Sequence, residues 1–100
     1  MWLVALFDLP VRTKAQRKLA SDYRKYLLKQ GFQMAQLSVY MKFCRDKEQA
    51  DSITRACTAM VPEDGRLDIL MITDRQYAGI VTVRNSARVH RENPSNLTLF

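Results

Sequence analysis

The side chains able to do chemistry in this chain are few, and most lie near its start. Asp8 is the first charged residue, placed where an apolar run ends, with Pro10 close behind. A carboxylate there suits two uses: a turn, since Asp and Pro both favour turns, or a functional polar group of the kind many sheet proteins keep at a strand end. Arg12, Lys14, Arg17, Lys18, Arg24, Lys25 and Lys29 follow, with Asp22 the single acid among residues 11–29. Those seven cations less one acid equal the whole chain's net charge of +6, so the remainder is neutral on balance. Cations at that density favour an anionic partner. His90 is the sole histidine, which is poor material for a histidine triad or a His-rich metal cluster. Cys44 and Cys57 lack metal-ligand spacing, fall in apolar patterns and read as reduced thiols.

The elements that must position these groups can be read in order. Trp2 to Asp8 alternates Trp2, Val4 and Leu6 with Leu3, Ala5 and Phe7, so both faces of this strand are apolar and it belongs in the middle of a sheet. Thr13-Lys14-Ala15-Gln16 is a capping box that opens a helix running to about Gln30, with Gly31 as its left-handed stop. Ala15, Leu19, Tyr23 and Leu27, with Tyr26 beside them, are its expected core stripe; Arg17 and Arg24, seven apart, join Lys14, Lys18 and Lys25 on a basic face. Residues 35–43 alternate as one long strand or a bent hairpin, with Ala35, Leu37, Val39, Met41 and Phe43 on one face and Gln36, Ser38, Tyr40 and Lys42 on the opposite, more polar one. Asp46 and Gln49 mark a second helix start, and Ile53, Cys57 and Met60 continue it until Pro62. Glu63-Asp64-Gly65 is a turn, Arg66 to Asp74 a buried strand, residues 75–79 a connection, and Ile80 to Val83 a further strand.

One hundred residues support one domain. The order predicts an α+β, ferredoxin-like sandwich, βαββαβ with one or more additional C-terminal strands, in which residues 1–84 form the domain and 85–100 an extension. Two helices cover only one sheet face. The apolar second face therefore predicts a homodimer, with the extension packing on the dimer partner or on another protein. No apolar run spans a bilayer, and the start lacks the basic residues of a secretory signal, so a cytoplasmic protein without membrane contact is expected.

Leu6-Phe7-Asp8-Leu9-Pro10, Gly31-Phe32 followed by Gln36-Leu37-Ser38-Val39-Tyr40, and Asp64-Gly65 leading to Ile72-Thr73-Asp74-Arg75-Gln76-Tyr77 resemble the CRISPR-associated protein two family, across almost the whole chain. The resemblance implies a ferredoxin-like homodimer that joins the CRISPR integrase in acquiring spacers, lying between integrase dimers with double-stranded DNA across it. Some members are described as metal-dependent nucleases, most often endoribonucleases, in which the aspartate after the first strand is a metal ligand; that residue is Asp8. Many members have tyrosine before it, where this chain has Phe7 and no phenol hydroxyl.

Two mechanisms follow. As a scaffold, the chain binds duplex DNA through Arg12, Lys14, Arg17, Lys18, Arg24 and Lys25, and phosphate contacts suit DNA of arbitrary sequence. As an endoribonuclease or endodeoxyribonuclease, it needs Asp8 from both chains of the dimer to hold Mg²⁺ at the interface as a catalytic site. Two carboxylates at ~4 Å and an effective dielectric of ~20 repel by about 4 kcal/mol, which favours a shared proton or a bound cation. Asp74 joins that site only if strand pairing brings it near Asp8. Outside these stand an unrelated ferredoxin-like nuclease or toxin and a simple RNA-binding module.

Overall fold

A computed structural model describes residues 1–85 and the strand at 87–89. The elements run β1 (Trp2–Asp8), α1 (Lys14–Lys29), β2 (Gln33–Gln36), β3 (Val39–Phe43), α2 (Lys47–Ala59), β4 (Arg66–Ile72), α3 (Asp74–Ala78), β5 (Thr82–Arg84) and β6 (Ala87–Val89). The first four strands form one sheet in the order β2-β3-β1-β4. β1 pairs antiparallel with both β3 and β4, so the two-faced strand occupies the interior as its sequence requires. This is the ferredoxin-like βαββαβ arrangement.

Alternation along β1 splits the core in two. Leu3, Ala5 and Phe7 pack with Ala20, Tyr23 and Leu27 of α1 and with Ala50 and Cys57 of α2. Trp2 and Val4 face the other way and are buried with Met41 against Tyr77 and Ile80. Tyr23 ties the helices together, its hydroxyl donating to the Cys57 carbonyl at 2.9 Å. Burial pushes the Tyr23 phenol well above its usual range and the Cys57 thiol up to about 11. Cys44 and Cys57 are free thiols in the core, consistent with their apolar sequence surroundings.

The α1 start follows the sequence closely: Gln16 N–H donates to Thr13 Oγ1 and Thr13 N–H to Gln16 Oε1, both at 3.0 Å. Gly31 takes φ +96°, the left-handed conformation that glycine alone adopts without penalty. Its inward face differs from the expected stripe. Ala15 is exposed and Leu19 is 49 % exposed, while Ala20, Tyr23 and Leu27 are buried. A strict spacing of four overshoots one turn by about 40° each step and drifts off the core, whereas steps of three and four stay on it.

Residues 33–43 form a hairpin, with Ser38 at φ +63° in the turn and a register shift between Met34 and Gln36. Ala35 and Leu37 are exposed, and Tyr40, expected on the polar side, is buried. The reason is position: Tyr40 of β3 faces the helix-covered core, whereas Ala35 lies on the edge strand β2 and Leu37 in the turn. β4 ends at Ile72, two residues before the expected Asp74, because Thr73 and Gln76 form a second capping box that opens α3. Residues 75–79 are therefore largely helix, not a plain connection. The next strand starts at Thr82 instead of Ile80 and pairs with β6 in a separate two-stranded sheet. That hairpin crosses the expected boundary after residue 84; His90 and residues 91–100, which make up most of the expected extension, lie outside the described residues. Among the described residues, no helix is long and apolar enough to cross a membrane.

The second sheet face is also less bare than two helices imply. α3 folds over one end of it, and the Tyr77 ring stacks on Trp2 with centroids 3.7 Å apart and planes within 3°. Among the described residues, no element covers the other end. Leu70 is 53 % exposed there, and Val39 and Leu6 are half-buried.

Candidate functional site

Asp8 closes β1 on the open face, since it continues the Trp2, Val4, Leu6 alternation. It is exposed, directly opposite Arg66 of β4, and Leu6 is opposite Asp68. Paired residues of an antiparallel ladder share a face, so Asp8, Arg66 and Asp68 stand together at one corner of the sheet. Asp68 is the diagonal neighbour of Asp8, a relation that separates residues by roughly 7–8 Å. The three line a cleft of about 370 Å³ with Ser38 and Val39. Arg66 Nε donates to Asp68 Oδ2 at 3.2 Å, and Nη2 lies 3.2 Å from the same oxygen. The Asp8 carboxylate has no hydrogen-bond or ion-pair partner among the described residues.

Asp74 is excluded from this corner. β4 runs antiparallel to β1, so its far end meets Trp2, and Asp74 pairs with the Met1 ammonium group at the opposite edge. The carboxylate near Asp8 is Asp68, which the sequence reading passed over. Its signal was present: Asp8 ends one strand and Arg66 and Asp68 begin another, and antiparallel pairing superposes those ends.

A second cleft of about 430 Å³, on the other side of Asp8, is lined by Pro10, Arg12, Gln16 and Asp64. Gln16 reaches back to the Arg12 N–H at 2.9 Å and braces this loop on the helix start. Arg12 is therefore the one expected DNA-binding residue that shares a cleft with Asp8. Lys14, Arg17, Lys18, Arg24 and Lys25 are all exposed on α1, which packs on the opposite sheet face. At 3.6 residues per turn, Lys14, Lys18, Lys25 and Lys29 fall within an arc of about 60° directly opposite the buried stripe. Arg17 and Arg24 lie on one flank. Arg17 is committed locally, donating to the Val11 and Arg12 carbonyls at 3.3 and 3.2 Å. Lys18 lies 3.2 Å from Asp22, whereas Lys14, Arg24, Lys25 and Lys29 have no acidic partner among the described residues.

The donor set at the corner suits a hard divalent cation in part. Mg²⁺ takes one or two carboxylates plus waters and phosphate oxygens, and Asp8 offers an uncommitted carboxylate. Among the described residues, no group of three or more His, Cys, Asp or Glu is placed to hold a metal. One protomer therefore supplies a partial site, which a second copy or a phosphate has to complete.

These features define a ferredoxin-like α+β domain with a strand-end carboxylate on one layer and a cationic helix on the other. A family model described as CRISPR associated protein Cas2 matches residues 1–80. A relative from Paracidovorax avenae is 41 % identical over 100 % of this chain and 94 % of its own length. Another, from Parvibaculum lavamentivorans, is 41 % identical over the full length of both. Both carry the name CRISPR-associated endoribonuclease Cas2. The chain belongs to the Cas2 family. A crystal structure of Streptococcus pyogenes Cas2 at pH 6.5 shares the fold, with a TM-score of 0.64 at 17 % identity over 84 % of this chain and 100 % of that one.

Proposed function

We propose that the chain serves CRISPR spacer acquisition as a homodimeric adaptor that binds duplex DNA through its phosphates and bridges dimers of the CRISPR integrase. The observation that carries this reading is the outward arc of Lys14, Lys18, Lys25 and Lys29, of which Lys18 alone faces an acid. A second copy is the occupant proposed for the open sheet face, where Val4, Val39, Met41, Leu70, Ile72 and Ile80 line an apolar groove of about 440 Å³. Pairing through that face leaves both α1 helices on the outside, free to follow a duplex. Neutralising ~6 phosphates makes affinity fall roughly a thousandfold between 50 and 200 mM salt. Reversing Lys14, Lys25 and Lys29 to Glu is expected to flatten the slope of log K against log salt, by about 0.9 for each lost contact. An unchanged slope would mean that DNA binds elsewhere. Asp8→Asn, which keeps the side chain's shape and removes its charge, is expected to leave integration with the integrase near normal; loss of integration with dimer and partner binding intact sinks the pure adaptor reading.

The names of the relatives favour a second reading, metal-dependent endonucleolytic cleavage of RNA or DNA with Asp8 from both chains of the dimer. Bound Mg²⁺ there would activate water and stabilise the leaving oxygen. Asp8 would be its protein ligand, and Arg12 would hold the strand by a phosphate. This reading requires Mg²⁺-dependent cleavage that copurifies with the chain and disappears in Asp8→Asn. Activity that survives the substitution belongs to a contaminant.

A further inference from the structure

We propose that Asp68 is a positioning residue, which holds the Arg66 guanidinium off Asp8 and so leaves the Asp8 carboxylate open to a divalent cation. The inference rests on the second, metal-dependent reading of the site. Its starting point is an ion pair that the register favours and the structure does not make. Arg66 is the cross-strand partner of Asp8, and opposite charges directly across a ladder attract. Arg66 turns instead along its own strand and meets Asp68 through both Nε and Nη2. Both contacts reach the single oxygen Oδ2, and together they occupy one edge of the planar guanidinium.

The charge balance explains why this matters. One guanidinium stands between two carboxylates, so the corner keeps one uncompensated negative charge, and the geometry assigns it to Asp8. Across the other cleft, Arg12 and Asp64 add one charge of each sign and leave that balance unchanged. Without Asp68, Arg66 would have Asp8 as its nearest acid on the face, and the charge open to a cation would be gone. Nothing in this account requires Asp68 to touch the cation.

The test is Mn²⁺ binding to the full-length protein without nucleic acid, followed by paramagnetic broadening of the backbone amide signals around Asp8. Broadening there is expected in the wild type, and Asp68→Asn is expected to weaken it about fivefold, the scale of one exposed ion pair. The double variant Asp68→Asn with Arg66→Gln should return to within twofold of wild type, because the competing guanidinium is gone. Asp64→Asn removes an equal charge from the neighbouring cleft at a left-handed residue that Asn tolerates, and it should also stay within twofold. Unchanged binding in Asp68→Asn overturns the inference. So does a double variant as weak as Asp68→Asn, which would make Asp68 a direct ligand, or an Asp64→Asn loss equal to that of Asp68→Asn, which would reduce the effect to net charge. Absence of broadening near Asp8 in the wild type, both without and with a short phosphodiester added to complete the site, overturns the metal reading itself, and the inference with it. All of the substituted side chains are exposed, so the amide spectrum away from the corner should not move.

Discussion

The two faces of the central sheet are built from the same strands to different ends. On the helix-covered face, Leu3 and Ala5 are fully buried and Phe7 is 6 % exposed. On the other, α3 seals the Trp2 end, while Leu70 is 53 % exposed and Asp8, Arg66 and Asp68 occupy the far corner. The covered face carries stability. The open face is where an apolar surface and an uncommitted carboxylate coexist.

Substitutions on the two faces should separate these roles. Leu27→Ala empties a fully buried site under the covered face and is expected to cost ~2–5 kcal/mol in urea unfolding. A smaller cost would mean that the helix layer is loosely packed. Tyr77→Ala removes the stack on Trp2, and aromatic pairs are worth about 0.5–1.5 kcal/mol beyond their buried area. Trp2 is the only tryptophan, so its emission should report the loss directly by shifting to the red. Thr13→Ala deletes the cap that positions both α1 and the Arg12 loop, at a cost of about 1 kcal/mol in thermal unfolding. Leu70→Glu, on the open face, should change the concentration-independent unfolding free energy by no more than ~0.5 kcal/mol. In sedimentation it should nonetheless convert a dimer to a monomer; a dimer that persists would show that the second copy docks elsewhere.

The covered face also has a pH signature. Burial raises the Cys57 thiol from 9.0 to about 11, so above pH 9 the unfolded chain has lost a proton that the folded one retains. The unfolded state then binds fewer protons, and stability falls as pH rises from about 9 to 11. Cys57→Ser should reduce that slope and leave the part that the buried Tyr23 phenol contributes, and unfolding free energies measured across this pH range would test it.

What could be read from the chain was local. Apolar residues on both sides of Trp2–Phe7 require cover on both sides, which placed β1 inside the sheet before any partner was known. Thr13 with Gln16, and Gly31, bounded α1 because caps and left-handed stops act within a few residues. The same Thr-x-x-Gln spacing at Thr73 was legible too, yet the β-branched and apolar run ahead of it masked α3. The inward stripe of α1 needed the packed sheet, since propensity and period do not decide between adjacent 40° sectors. The corner needed more. Asp8 and Asp68 are sixty residues apart in the chain, and only the antiparallel register of β1 with β4 brings them to one cleft while carrying Asp74 to the far edge. Chain order alone thus determined the strand that ends in Asp8 and the cationic helix that follows it. Tertiary pairing decided their separation onto opposite layers, because long-range register depends on the packing of every strand and not on the residues beside Asp8.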